Sequence, residues 1–174
     1  MKAGPAEAQP PVLARSGDAT IPLAQMSKFA GSAIINRPIA EVWGFISDPH
    51  RASVWGRGVS DVVMTSTGPV GLGSTLRLSM SGSPMEARIV DFEPERRLTL
   101  EFTAGPVKGS RLTYSVETVG ATTKLTRDLD MKLSGIWRLM QPLLTRREIR
   151  DRELGVANIK RLLEAMHLSD GSER

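Results

Sequence analysis

The chain has no cysteine, which removes disulfides, thiolate zinc sites and a thiol nucleophile in one stroke. It has only two histidines, His50 and His167, so a histidine-rich metal site is excluded as well, and neither a metal nor a cofactor is expected. No apolar run approaches the roughly 18 residues of a membrane span. The N-terminus, where Lys2 is followed by Gly4, Pro5, Glu7 and Pro10, lacks the hydrophobic stretch of a signal peptide. No stable membrane insertion is expected, and a cytoplasmic location fits a cysteine-free chain. The excess of 23 basic over 19 acidic residues, a formal charge of +4, is a weak electrostatic footprint for nucleic acid, which is not expected as a partner.

What remains in 174 residues is enough for one domain with a substantial core. Pro5, Pro10, Pro11 and Pro22, set among Ala, Gly and Ser, predict a flexible arm over residues 1–26. The domain itself is expected over 27–167, with a short tail over 168–174.

Lys28 to Asn36 reads as a strand, ended by Asn36-Arg37-Pro38. Pro38 suits the first turn of a helix whose apolar face carries Ile39, Val42, Phe45 and Ile46, and Ser47-Asp48-Pro49 stops it. A second short helical piece runs from about His50 to Trp55. Six strand-like runs follow: Val59 to Ser66, Thr75 to Met80, Met85 to Phe92, Leu98 to Thr103, Arg111 to Glu117 and Thr123 to Met131. The turns between them are too short for parallel crossovers, so successive strands are antiparallel. The glycine-rich stretch Gly68 to Gly73 lacks the Lys-Ser/Thr ending of a phosphate loop and reads as one of these turns. From Ser134 to Met166 apolar residues recur at helical spacing around Pro142, and Val156, Ile159, Leu163 and Met166 form the later stripe. Between the two stripes the mixed charges of Thr145 to Glu153 read as a solvated helix face.

Alternation assigns the faces of the strands. Leu76, Leu78 and Met80 share one side, as do Leu98, Leu100 and Phe102, and then Leu112, Tyr114 and Val116. Thr75, Arg77, Thr99, Glu101, Thr113 and Glu117 take the wet side. A one-sided sheet followed by one long amphipathic helix is solved by curling the sheet around that helix, an α+β architecture. In Thr123, Leu125, Arg127, Leu129 and Met131 the arginine falls on the apolar face. Arg127 therefore either grips a ligand oxygen from inside, or is turned outward by a bulge or paired with a carboxylate such as Asp91 or Asp128. Tyr114, the only tyrosine, also points inward and either offers its hydroxyl to a ligand or fills core.

Several strings, in this order, resemble the START-like or Bet v 1-like (SRPBCC) superfamily and its polyketide cyclase/dehydrase group. They are Pro38-Ile39-Ala40-Glu41-Val42-Trp43, Ile46-Ser47-Asp48-Pro49 with Trp55 beyond, Gly68-Pro69-Val70-Gly71-Leu72-Gly73-Ser74 and Asp91-Phe92-Glu93-Pro94-Glu95-Arg96-Arg97-Leu98. The long last helix completes the pattern, which covers roughly Lys28 to Met166. The resemblance implies a helix-grip fold: a seven-stranded curved antiparallel sheet around a long C-terminal helix, with two short helices after the first strand. It also implies a cavity for a small hydrophobic or amphipathic molecule, lipid-, sterol- or polyketide-like. In that frame Trp55 and Trp137 border the mouth, and the inward residues Leu78, Leu100, Leu112, Tyr114, Leu125 and Arg127 line the wall. Trp43 is expected in the core.

Three functions compete: a carrier or sensor of such a molecule, a cyclase or dehydrase acting on it, and a protein-interaction module using the arm or the long helix. The first is favoured, because alternation puts no pair of titratable groups together inside the cavity. An inward carboxylate near Tyr114 or Arg127 would reverse that preference. The oligomeric state stays open, a homodimer included.

Overall fold

The structure is a computed structural model and describes residues 28–132 and 155–166. The expected arm over 1–26, the earlier part of the long helix with Trp137, Pro142 and the charged run, and the tail from His167 lie outside the described residues.

β1 (Lys28–Ile35) ends at Asn36, and Pro38 leads into α1 (Ile39–Ile46), with Glu41 in the positive first turn. α1 buries Val42, Trp43, Phe45 and Ile46. Asp48 then accepts the His50 N–H at 3.0 Å and starts a 3₁₀ turn, Pro49–Arg51, which runs directly into α2 (Ala52–Trp55). The remaining strands follow as β2 (Val59–Met64), β3 (Thr75–Met80), β4 (Ser83–Glu93), β5 (Arg97–Ala104), β6 (Arg111–Val119) and β7 (Thr122–Asp130).

All seven strands form one antiparallel sheet in the order β1-β7-β6-β5-β4-β3-β2. From β2 to β7 each strand pairs with its chain neighbour, as the short turns require. β1 instead closes against β7, so the first and last strands lie side by side. The glycine-rich loop between β2 and β3 is a turn, and it ends by extending the sheet: Gly73, at φ +86, donates to Ile89 O at 2.9 Å, and Ile89 N returns a bond to Ser74 O at 2.8 Å.

Two local readings are corrected here. Pro84 was expected in a turn but belongs to β4, opposite Ser79. It is tolerated there because the β4–β5 pairs begin only at Glu86, so no ladder bond to β5 is lost. Thr99 lies on the expected outer face, yet it is buried, with its hydroxyl 3.0 Å from that of Thr113 across the β5–β6 pair.

The curved sheet grips α3, the helix described over 155–166. Val156, Ile159 and Leu163 are buried in the same core as Ile35, Val42, Leu125 and Val116. Met166, expected on that stripe, is 48% exposed: it sits past the last turn that faces the sheet. The described part of α3 is tied down at two places: Asn158 Nδ2 donates to Trp55 O at 3.0 Å, and Arg37 donates to Leu163 O and Glu164 O.

Candidate ligand cavity

The inward side chains leave a cavity of about 150 Å³ between the sheet and the helical layer. β3 contributes Leu76, Leu78 and Met80, β4 Ile89, and β5 Leu98, Leu100 and Phe102. β6 adds Leu112 and Tyr114, β7 adds Arg127, and β2 adds Val59 and Val62 at the side. Ile46, Pro49, Ala52 and Trp55 close it from the short helices, Ser47 and Arg57 from the loops beside them, and Gly155 of α3 lies at its rim. The wall is therefore mostly hydrocarbon, as expected for a site in which apolar area supplies affinity. An apolar space of roughly this volume accommodates a benzene-sized molecule. It is smaller than the roughly 300–1,000 Å³ of drug-sized ligand sites, so a larger guest must also occupy the mouth.

Apart from Ser47 and Arg57, the polar groups of the wall are Trp55, Tyr114 and Arg127. Tyr114 stands directly opposite Arg127 across the β6–β7 pair, and Gly31, on the other side of Arg127 in β1, puts no side chain against it. No register shift interrupts β7 against either neighbour, so alternation holds and Arg127 lines the cavity, half-buried. The Trp55 ring meets the Tyr114 ring edge to face, with centroids 5.6 Å apart and planes at 80°. Tyr114 is 2% exposed and Trp55 8%, and neither Tyr114 Oη nor Trp55 Nε1 has a hydrogen-bond partner among the described residues. Arg127 comes near enough to the phenol for its charge to act on it, but without the geometry of a hydrogen bond. Buried polar atoms are nearly always satisfied, and an orphan costs about 1–3 kcal/mol. Two orphans on one cavity wall, beside a cation, mark a place where a guest supplies the missing acceptors.

Arg127 has no carboxylate partner among the described residues, and the β4 bulge explains part of this. Ile89 pairs with Leu100 and Asp91 with Thr99, so Val90 is an extra residue between them. The insertion turns Asp91 from the inner face to the outer one, where it binds Arg97 together with Glu93. These carboxylates raise the pKa of the Arg97 guanidinium above its ordinary value, the Asp91 hydrogen bond most of all. Asp128, the other candidate partner, is exposed on the opposite face of β7 from Arg127.

Of the residues expected to contact a ligand, Trp55, Leu78, Leu100, Leu112, Tyr114 and Arg127 are brought together on the cavity wall. Leu125 is not: it is fully buried in the core two residues before Arg127, toward the end where Leu163 is seated. Trp137 lies outside the described residues. Trp43 packs on Phe92, 5.6 Å between centroids, in the core. Ile89 lines the wall as well, at the end of the run Met85, Ala87 and Ile89, which alternates as clearly as any in the sheet. Among the described residues no three of His, Cys, Asp and Glu gather to hold a metal ion, and no helix is long and apolar enough to cross a membrane.

Burial raises the pKa of the Tyr114 phenol above its ordinary value, outweighing the pull of Arg127 in the other direction. The hydroxyl is therefore a neutral donor at physiological pH. An unfolded tyrosine ionises near pH ~10. Because the folded value is higher, the stabilisation is complete below the unfolded pKa and is lost as pH rises through the folded one. Tyr114 is the only tyrosine, so phenolate absorbance near 295 nm reports it alone. In native protein that absorbance is expected to rise only above the pH at which it rises in denaturant, and to coincide with alkaline unfolding. A native midpoint at or below the denatured one contradicts the burial argument.

Comparison with known proteins agrees with this geometry. Residues 26–164 match the family described as polyketide cyclase / dehydrase and lipid transport. No curated protein matches the sequence. Among solved structures, a START superfamily protein from Mycobacterium smegmatis is 14% identical, with a TM-score of 0.68 over 80% of this chain and 98% of that one. The protein Ara h 8.0201 is 10% identical, with a TM-score of 0.59 over 79% and 97% of the two chains. DynU16, from the dynemicin biosynthetic locus, is 19% identical, with a TM-score of 0.57 over 79% of this chain and 47% of its own. These likenesses establish the helix-grip fold, and the match across most of its length establishes that the chain belongs to the polyketide cyclase/dehydrase and lipid transport family.

Proposed function

We propose that the protein binds a small hydrophobic or amphipathic molecule in the cavity between sheet and helices, as a carrier or sensor. One observation carries this reading: a mostly hydrocarbon-lined cavity on whose wall Tyr114, Trp55 and Arg127 stand together, with two buried donors left without acceptors among the described residues. The family description, which includes lipid transport, supports it. The cyclase or dehydrase alternative needs a base to remove a proton from the guest as well as the neutral phenol of Tyr114 to donate one. The described wall has no carboxylate or imidazole to act as that base.

The test uses neutral apolar probes of graded size: toluene, naphthalene and N-phenyl-1-naphthylamine. At least one is expected to bind at a single saturable site and to raise the melting temperature by mass action, about 2.7 kcal/mol of stabilisation at a hundredfold excess over Kd. Folded protein that binds none of them leaves the cavity reading without support and favours the interaction-module reading.

A further inference from the structure

We propose that the guest is an apolar acid, with its carboxylate held by Arg127, Tyr114 Oη and Trp55 Nε1 and its hydrocarbon lying against the leucine-rich wall. The inference rests on the binding reading above and adds the ligand's chemistry to it. Arg127, half-buried on the cavity wall, has no acidic neighbour among the described residues, and Asp91, which plain alternation aims inward, has been turned out to Arg97. A cation on an apolar wall is stabilised by a nearby anion, and among the described residues none faces Arg127, so a guest carboxylate fits this position. The three donors also match a carboxylate in number. Two oxygens offer about four lone-pair sites, enough for a guanidinium and two neutral donors. Tyr114 and Trp55 are already fixed by their mutual ring packing, so little rotamer freedom is lost when their donors engage. A neutral alcohol leaves Arg127 without a counter-charge.

The experiment compares octanoate with octan-1-ol by titration calorimetry at neutral pH and equal ionic strength, in wild-type protein and in the variants R127M and Y114F. Octanoate is expected to bind at least roughly tenfold more tightly than octan-1-ol, the size of one charge-assisted hydrogen bond. R127M is expected to abolish the preference, and Y114F to reduce it by a smaller factor. Y114F removes only an oxygen that has no partner in the free protein, so it carries the test if R127M does not fold. Equal affinity for acid and alcohol in wild type, or a preference that survives both substitutions, overturns the anchor while leaving the cavity reading intact. If neither ligand binds and the neutral probes fail as well, both readings fall together.

Discussion

Replacing Ile159 with alanine is expected to lower the free energy of unfolding by about 2–5 kcal/mol, the range for a buried aliphatic side chain truncated to alanine. Ile159 has no exposed surface and lies between Val156 and Leu163 on the one face of α3 that enters the core. Its loss removes both the transfer free energy of the side chain and the contacts of the atoms that packed around it. Domains of this size have about 5–15 kcal/mol in total, so the change consumes a large share of the reserve. At roughly 2–4 °C per kcal/mol, the melting temperature should fall by about 4–20 °C. Denaturant melts should show a lower midpoint at unchanged slope, since the surface exposed on unfolding hardly alters. Arg161→Ala, on the exposed face of the same helix, should stay within about 0.5 kcal/mol. A comparably small cost for Ile159→Ala means that α3 does not seat this residue on the sheet.

The architecture was legible because strand alternation is a local signal. Leu76 and Leu78, Leu98 and Phe102, Leu112 and Tyr114 each announce the buried face of their strand, and short turns dictate antiparallel pairing whatever the tertiary context. Alternation gives the face but not the depth along the strand. Leu125 and Arg127 look equivalent in sequence, yet one is packed solid and the other lines the cavity. It also fails at a bulge, because one inserted residue reverses every side chain beyond it. Val90 does this to Asp91, and no local pattern in the string from Ile89 to Phe92 announces it. Least legible were the unsatisfied donors. That Trp55 meets Tyr114, and that neither finds an acceptor, depends on residues far apart in sequence arriving together.

The pinning of α3 by Arg37 belongs to the same class, a contact made across more than a hundred residues, and it carries the second large prediction. A helix ends with carbonyls that have no intrahelical partner, at the negative end of its dipole. Arg37 meets both needs: Nε donates to Leu163 O at 3.1 Å and Nη2 to Glu164 O at 3.0 Å, while Nη1 donates to Asn36 O at 2.7 Å. The side chain is only 12% exposed and its backbone is held as well, since Thr123 Oγ1 donates to Arg37 O at 2.8 Å. Arg37→Ala is expected to cost about 2–3 kcal/mol, because bonds from a charged donor are worth about 1.5–3 kcal/mol and the freed carbonyls are only partly rehydrated. Arg37→Lys keeps the charge but loses the planar fork, and should cost roughly half as much. Glu41→Gln should change little, since Glu41 is 57% exposed and its 3.6 Å pair with Arg37 is screened by water. Because the bonds reach the carbonyls of Leu163 and Glu164, hydrogen exchange in the last described turn of α3 should quicken in Arg37→Ala by more than the global loss of stability requires. Exchange that rises uniformly across sheet and helix, or a denaturant midpoint unchanged from wild type, means that the Arg37 side chain does not hold the helix end.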